Sequence, residues 1–147
     1  MFLGEYHHNL DSKDRLTVPA KYRDGLGDEL YFVQGFDLSL MAMPTKTFEK
    51  VLRRLQSLNI ADLDVRLLTR RILGSATQLE VDKSGRVLVP EFLRRKIGLG
   101  RELVLVGQGE YFEIFSPEEW ARQEAAQLDV EANNQRFKVL DLRLGSD

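Results

Sequence analysis

A nine-residue pattern occurs twice in this chain, and no other feature restricts the fold as much. Residues 11–19 read DSKDRLTVP and residues 82–90 read DKSGRVLVP. The two copies share the first Asp, the Arg, the Val and the Pro, and an apolar residue follows each Arg. Four matches in nine positions could be a coincidence, so the residues that follow decide whether the chain contains a true repeat.

The similarity continues well beyond the pattern. In each copy a short helix-like stretch leads to Gly-Leu-Gly, at residues 25–27 and 98–100, and then to Glu-Leu with further apolar residues, at 29–33 and 102–106. A glycine-containing turn, a second apolar run and a proline follow in both copies. Similarity over this length indicates two copies of one structural unit. A doubled unit can build a pseudo-twofold domain, which suits a twofold or tandem partner such as DNA.

Composition indicates a small soluble protein. The chain has 147 residues and no cysteine. A single body of this size buries roughly 68–70% of its unfolded surface, and the lack of cysteine excludes disulfides, a thiolate nucleophile and a cysteine-type zinc site. The N-terminus lacks a signal-peptide pattern, and no apolar run approaches the ~20 residues that cross a bilayer. We therefore expect a cytoplasmic protein without a membrane partner.

Charge is segregated along the chain, although the net charge is only −2 and the isoelectric point is near 5.8. Taken globally, this balance counts against a nucleic-acid-binding protein. Residues 82–101 nevertheless carry six basic against two acidic residues, and residues 46–71 carry seven against three. Residues 108–131 carry one basic residue against seven acidic ones. A local positive surface is therefore possible; alternatively, the basic stretches, above all 46–71, are solvated helix faces.

Short apolar runs separated by turns predict four strands in each repeat. The predicted strands cover residues 5–10, 15–18, 30–33 and 38–43 in the first repeat and 76–81, 86–89, 103–106 and 111–115 in the second. The polar turns 11–14 and 82–85 should join the first two strands of each repeat as a hairpin. The last two strands of each repeat form another hairpin.

Helices are predicted after each repeated proline and between the repeats. Pro19 and Pro90 suit the first position of a short helix, which should end near Gly25 or Gly98 in a left-handed cap. Apolar residues at helical spacing predict two helices within residues 48–73.

The sequence Ser116-Pro117-Glu118-Glu119 reads as another helix start. Residues 127 to about 142 favour a helix, and residues 144–147 should fray. Each repeat is thus a strand pair, a short helix, a second strand pair and a closing helix. This order predicts an α+β fold in which two ββαββ-like units bury their faces against each other.

The candidate binding residues lie at the equivalent turns of the two repeats. Arg15 and Arg86 begin the second strand, where alternation should point them outward and turn the apolar residues after them inward. An outward Arg beside a turn that carries a lysine, Lys13 or Lys83, can contact a phosphate or a base. Alternatively, each Arg pairs with the Asp that begins its turn and fixes the turn itself.

The two turns differ at one position, where the first has Asp14 and the second has Gly85. Glycine permits a positive φ more readily than Asp. Asp14 also adds a negative charge, and residues 82–101 are more basic than residues 5–24, whose formal charge is zero. The second turn is therefore expected to be the more basic of the two.

Nothing in the chain indicates catalysis, a metal or a cofactor. His7 and His8 are adjacent, so in a strand they point to opposite faces and make a poor metal pair. No Ser, Asp or Glu residue lies in a spacing typical of nucleophilic or two-carboxylate catalysis. We therefore predict neither an enzyme nor a resident cofactor.

Three segments together resemble the MraZ family of bacterial transcriptional regulators, which contain two SpoVT-AbrB-type modules. They are residues 1–26 (MFLGEYHHNLDSKDRLTVPAKYRDGL), 73–99 (LGSATQLEVDKSGRVLVPEFLRRKIGL) and 104–120 (VLVGQGEYFEIFSPEEW). The doubled Asp-x-x-x-Arg-x-x-x-Pro is the most specific part of the resemblance. The family usually has Gly where this chain has Asp14.

The resemblance implies an architecture and an assembly. Its fold would be an AbrB-like swapped-hairpin (double-split β-α-β) barrel with additional helices, and the protein would assemble into a homo-oligomeric ring. It divides the chain into repeat 1 (5–47), a helical connector (48–74), repeat 2 (75–119) and a C-terminal helix and tail (120–147).

The resemblance also implies a function. The ring would bind direct repeats in double-stranded promoter DNA of the division and cell-wall gene cluster as a nucleoid-associated repressor. Arg15 and Arg86 would contact the DNA, and Lys13 and Lys83 are weaker candidates. The alternative is a protein-interaction module, because some AbrB-like folds serve as antitoxins; the helices of residues 46–73 and 117–142 would then bind the partner.

Overall fold

The computed structural model describes residues 1–143, and the fraying expected for residues 144–147 lies outside these residues. Repeat 1 and the connector contain β1 (Glu5–Asn9), β2 (Arg15–Thr17), α1 (Ala20–Leu26), β3 (Glu29–Gln34), β4 (Ser39–Pro44), α2 (Thr45–Gln56) and α3 (Leu63–Leu73). Repeat 2 and the C-terminal part contain β5 (Thr77–Glu80), β6 (Arg86–Leu88), α4 (Glu91–Ile97), β7 (Glu102–Gly107), β8 (Phe112–Phe115), α5 (Pro117–Gln127) and α6 (Val130–Lys138). The fold is therefore α+β, with each predicted strand and helix present.

The strands form a six-stranded antiparallel sheet and a separate two-stranded ribbon. The sheet has the order β1-β7-β8-β4-β3-β5, and the ribbon pairs β2 with β6. If β1, β3 and β4 are interchanged with their counterparts β5, β7 and β8 in the other repeat, the strand order of the sheet is reversed but otherwise unchanged. The sheet therefore has pseudo-twofold symmetry. The sheet ends at β1 and β5 and does not close on itself. The closed barrel implied by the resemblance is therefore not confirmed.

The pairing predicted for the first two strands of each repeat is wrong. Strand β1 pairs with β7 of the second repeat, and β5 pairs with β3 of the first. Strands β2 and β6 pair with each other instead of with β1 and β5. The second hairpins, β3 with β4 and β7 with β8, are as predicted. Each repeat thus donates its first strand to the sheet half built by the other repeat, which buries more apolar surface than an isolated short hairpin can.

Two layers cover the two faces of the sheet. The main core lies between one face and the layer formed by the ribbon, α1 and α4; its fully buried members include Leu16, Val18, Val87 and Val89 from the ribbon strands and their ends. On the other face, α2 and α3 pack over the first repeat and α5 packs over the second. The inner face of the ribbon therefore packs against the core, and its outer face is accessible to a binding partner.

Helix ends follow the predicted chemistry with two differences. Pro19 and Pro90 are the N-cap residues of α1 and α4 and not the first helical residues, so each helix begins one residue after its proline. Helix α4 ends at Gly98 in the left-handed conformation, as predicted, but α1 continues through Gly25 to Leu26, and Gly27 has the positive φ of 72°. Of the helices in residues 1–143, none combines the length and apolar character that a membrane crossing requires.

Candidate nucleic-acid interface

The ribbon places the two arginines of the repeated pattern on one exposed face. In its register, Arg15 lies opposite Leu88 and Thr17 lies opposite Arg86. Leu16 and Val87, which are opposite each other at the centre, point inward and are 0% and 1% exposed. Because Leu16 and Val87 are also equivalent in the repeat, the pseudo-twofold axis passes between them. Arg15 and Arg86 are diagonal neighbours about this axis, with Cα atoms about 7–8 Å apart, as is typical of such positions.

Each arginine is held by the aspartate that begins its turn. One carboxylate oxygen of Asp11 accepts hydrogen bonds from the backbone N–H groups of Lys13 (2.8 Å) and Arg15 (3.0 Å), and the other accepts from Arg15 Nε (2.9 Å). Asp82 makes the same set of bonds with the second turn, including one of 2.9 Å from Arg86 Nε. The alternative interpretation of the sequence, in which Arg and Asp fix the turn, is thus what the structure shows at both sites.

This pairing leaves the outer edge of each guanidinium free. Within residues 1–143, the Nη groups of Arg15 and Arg86 donate no hydrogen bond to protein, and the two side chains are 27% and 36% exposed. An Arg fixed through Nε presents its two Nη donors in a defined direction, which is the geometry that a phosphate or a guanine edge requires. The structural role and a binding role are therefore compatible in the same side chain.

The aspartates are stabilised in their ionised form. The pKa of Asp11 is lowered, first by the backbone N–H of Arg15 and further by its side chain; Arg86 lowers the pKa of Asp82 in the same way. Both turns then require a positive φ at their fourth residue, which is 60° at Asp14 and 78° at Gly85. The turns therefore have one conformation despite their different residues at this position.

The two turns are also tied to each other across the repeats. Val18 N donates to Gly85 O (2.8 Å), and Val89 N donates to Asp14 O (3.0 Å). Arg23 Nε donates to Val18 O (2.9 Å), and its guanidinium fills the space that a side chain at residue 85 would need. These bonds join the ends of the ribbon into one framework.

Arg94, the repeat equivalent of Arg23, makes the corresponding contacts at the other end of the ribbon. Its Nε donates to Val89 O (3.1 Å), and its Nη2 lies 3.2 Å from Asp14 Oδ2. Arg101 also belongs to repeat 2 and reaches the first turn, where its Nη1 donates to Asp11 O (2.8 Å) and its Nη2 lies 3.7 Å from Asp14 Oδ1. The fold thus delivers two arginines of the second repeat to the turn of the first.

The position of these two arginines corrects the expectation that the second turn is the more basic one. The first turn is surrounded by Lys13, Arg15, Arg94 and Arg101 against two aspartates. At the second turn, Asp28 stands where Arg101 stands at the first, since its carbonyl accepts from Val81 N as that of Arg101 accepts from Leu10 N. The count of charges along the sequence gave the wrong result because it assigned each cation to the turn of its own repeat.

All four predicted site residues lie on the ribbon or its turns. Lys13 and Lys83 are exposed within the turns, where their ammonium groups form no ion pair with residues 1–143. Arg23 and Arg94 were missed, although their equivalence in the repeat marks them: each comes four positions after the repeated proline. Arg101 has no basic counterpart in repeat 1, so the repeat carried no signal for it.

A buried carboxyl lies on the opposite face of the sheet, away from the ribbon. Glu113 in β8 is 9% exposed and accepts hydrogen bonds from Gln108 Nε2 (2.7 Å) and Ser39 Oγ (3.3 Å). Burial raises the pKa of this carboxyl, and the charge of Asp37 raises it further, against the lowering effect of the two hydrogen bonds.

The histidines form no metal site in the described part of the chain. His7 is exposed and lies 2.7 Å from a carboxylate oxygen of Glu5, while His8 on the other face of β1 is half-buried. Across residues 1–143, no group of three or more His, Asp or Glu side chains is arranged to hold a metal ion.

Comparison with known proteins gives matches over nearly the whole chain. A family model described as “MraZ protein, putative antitoxin-like” matches residues 1–71 and, separately, residues 72–140. The transcriptional regulator MraZ of Roseiflexus castenholzii is 38% identical over 143 residues, which cover 97% of this chain and 99% of that protein. The regulators of the same name from Desulforamulus reducens and Leuconostoc mesenteroides are 44% and 40% identical, over 97% and 88% of this chain and 99% and 90% of their own lengths.

Proposed function

This chain belongs to the MraZ family, and from that premise we propose that it regulates transcription by binding DNA through the outer face of the β2–β6 ribbon. The relatives described above are named transcriptional regulators. The observation that carries the proposal is the pair Arg15 and Arg86, which share one exposed face and whose Nη groups donate no hydrogen bond to residues 1–143.

The ribbon has the shape and donors for the major groove. A two-stranded β-ribbon fits this groove, which is about 12 Å wide. Arg15 and Arg86 can each offer two parallel N–H donors to a guanine edge or a phosphate, while Lys13 and Lys83 at the turns can reach the flanking phosphates. Asp11 and Asp82 hold the two arginines in position before DNA arrives, which reduces the entropy lost on binding.

Assembly would compensate for the modest charge of one subunit. We propose that the chain forms a homo-oligomeric ring whose ribbons bind direct repeats in promoter DNA. Because linked sites raise the effective concentration of the next contact, several weak ribbons can give tight binding. An acidic stretch at residues 108–131 and a basic one at 46–71 could meet between neighbouring subunits.

We propose the finer features on the resemblance to the family. They are repression of the division and cell-wall gene cluster, a nucleoid-associated position in the cytoplasm, and an AbrB-like arrangement of two repeats. The repeats would cover residues 5–47 and 75–119, with a connector at 48–74 and a C-terminal part at 120–147. The proposed mechanism uses neither catalysis nor a cofactor.

Gel-shift titration on DNA upstream of the chain's own gene tests the proposal. Arg15→Ala and Arg86→Ala should each cost about 1–3 kcal/mol of binding free energy if the arginine reads a base, and should reduce the salt slope by about 0.9 for each phosphate that the variant no longer binds. Arg122→Ala is the matched control, since it removes an exposed arginine from α5 on the opposite face of the sheet. Wild-type affinity in the Arg15→Ala/Arg86→Ala double variant would refute the ribbon as the binding surface.

A protein-interaction role is the second candidate, and two observations favour it. The matching family is described as antitoxin-like, and several apolar side chains on the connector and α6 are exposed, among them Leu63 (55%), Leu67 (53%) and Phe137 (56%). Affinity purification of the full chain, with and without nuclease, decides between the two. A stoichiometric partner protein that survives nuclease, combined with no promoter binding, would favour interaction over regulation by DNA.

A further inference from the structure

Two arginines at the first turn converge on one carboxylate. Arg94 is only 20% exposed and is anchored through Nε to Val89 O, so its Nη2 is directed toward Asp14. Arg101 is anchored through Nη1 to Asp11 O, and its Nη2 also faces Asp14. Each arginine therefore donates one hydrogen bond to a backbone carbonyl and directs another N–H group toward the Asp14 carboxylate. Such an arrangement is a preformed site for an anion with oxygen acceptors.

The residue that fills this point is in a conformation that side chains rarely adopt. Asp14 has φ 60°, and apart from Asp141 no non-glycine residue within 1–143 has a positive φ. The second turn meets the same requirement with Gly85, without strain. Asp tolerates the left-handed region better than most residues but less well than Gly. The chain thus keeps a strained residue where its own second repeat has an unstrained one, and the carboxylate of this residue pairs with the two arginines.

We propose that Arg94 and Arg101 form a binding site for a backbone phosphate of DNA, and that the Asp14 carboxylate occupies this site when DNA is absent. The inference rests on the proposed function. A carboxylate matches a phosphate in the sign of its charge and in its acceptor oxygens, so a phosphate approaching the first turn would displace Asp14 and take over the two Nη2 donors. The site adds a third and a fourth arginine to those that the ribbon offers to DNA, both at one end.

The second end of the ribbon lacks a corresponding site. The equivalent of Arg101 is Asp28, and the equivalent of Asp14 is Gly85, so Arg23 meets no carboxylate in the second turn. The two ends therefore bind phosphate differently. Each end has one arginine, Arg15 or Arg86, paired with the Asp that begins its turn. The first end holds two further arginines in ion pairs with Asp14, and the second end has no counterpart of these pairs within residues 1–143.

Removal of the Asp14 charge should release the site. Asp14→Asn keeps the size of the side chain and suits the left-handed conformation, and Asp14→Gly also removes the strain. Both variants should bind promoter DNA about 2- to 30-fold more tightly than wild type, the range expected for freeing two partly exposed ion pairs. Asp24→Asn is the matched control, because Asp24 is exposed on α1 and makes no ion pair with residues 1–143, while the change in net charge is identical. Binding by Asp14→Asn no tighter than by Asp24→Asn would overturn the proposal.

A second set of variants tests the arginines themselves. In the Asp14→Asn background, replacing Arg94 and Arg101 by Ala should abolish the gain in affinity and lower the salt slope by about 0.9, the value for the one phosphate that the two arginines share. An unchanged slope would contradict the proposed phosphate site. Thermal unfolding of each variant identifies any loss of affinity that comes from misfolding.

A third measurement separates DNA from free phosphate as the ligand. Inorganic phosphate and promoter DNA are each added at constant ionic strength while the side-chain NMR resonances of Arg94 and Arg101 are followed. A response to DNA at much lower concentration than to phosphate supports the proposal, and a response to inorganic phosphate alone would overturn it. If the wild-type chain and the Asp14→Asn variant both fail to bind DNA, the proposed function itself fails. If both bind with equal affinity, only the phosphate site at Arg94 and Arg101 fails.

Discussion

Leu16→Ala tests whether the ribbon is part of the core or only an appendage. Leu16 is fully buried on the pseudo-twofold axis opposite Val87, whereas Leu88, in the other ribbon strand, points outward and is 47% exposed. The same Leu→Ala substitution can therefore be compared on the inner and the outer face of the ribbon. If the inner face anchors the ribbon, only the change at Leu16 should be costly.

The magnitude follows from the burial of each side chain. A fully buried Leu→Ala change costs about 2–5 kcal/mol, because apolar surface is no longer buried and a cavity remains. A surface change away from the core stays within about 0.5 kcal/mol. For a cost of about 3 kcal/mol and an m-value of about 2 kcal/mol/M, the urea midpoint should fall by about 1.5 M. The melting temperature should fall by roughly 6–12 °C in a chain of this length.

Urea unfolding followed by circular dichroism, at one fixed protein concentration, measures both variants. We expect a large loss of stability for Leu16→Ala and almost none for Leu88→Ala. Equal losses of stability, or a loss below about 1 kcal/mol at Leu16, would show that the ribbon does not hold the core together.

Three further outcomes are expected. Because the pKa of Asp11 and Asp82 is lowered in the folded chain, Asp11→Asn and Asp82→Asn should destabilise it above pH 3.8, and this cost should disappear as the pH falls below that value through the folded pKa; urea titrations at neutral and acidic pH compare the two. Because the pKa of Glu113 is raised, its ionisation opposes folding above pH 4.5, so Glu113→Gln should be more stable than wild type at neutral pH, an advantage that should vanish in acid,. Ser116 caps α5 by accepting from Glu119 N (3.1 Å), and Ser116→Ala should cost about 1 kcal/mol in thermal unfolding,.

Local chemistry made most elements of the fold predictable from the sequence. The Asp-led turns, the strand after each turn and the helix after each proline all depend on residues within a few positions of one another. The Ser116 cap followed by Pro117 is such a case, and it was found where the sequence placed it. The alternation that turned Leu16 inward and left Arg15 half-exposed depended only on strand geometry.

Strand exchange between the repeats was not predictable in this way. Strand β1 has five residues and could satisfy its backbone hydrogen bonds beside any strand edge, so its own sequence does not identify β7 as its partner. The same holds for the candidate site. Asp14 and Arg94 are 80 positions apart in the chain but 3.2 Å apart in space, and the pairing of β2 with β6 across the two repeats brings them together.

The pairing of β1 with β7 also determines when this protein can fold during its synthesis. Asn9 pairs with Glu102, 93 positions further along the chain, so the N-terminal strand leaves the ribosome long before its partner exists. At about 5–20 residues per second, this wait is roughly 5–20 s. During that time, the edges of β1 and β3 lack their native neighbours β7 and β5. Neither repeat can complete its half of the sheet alone, so a nascent chain arrested between the repeats would present open strand edges to the chaperones around it.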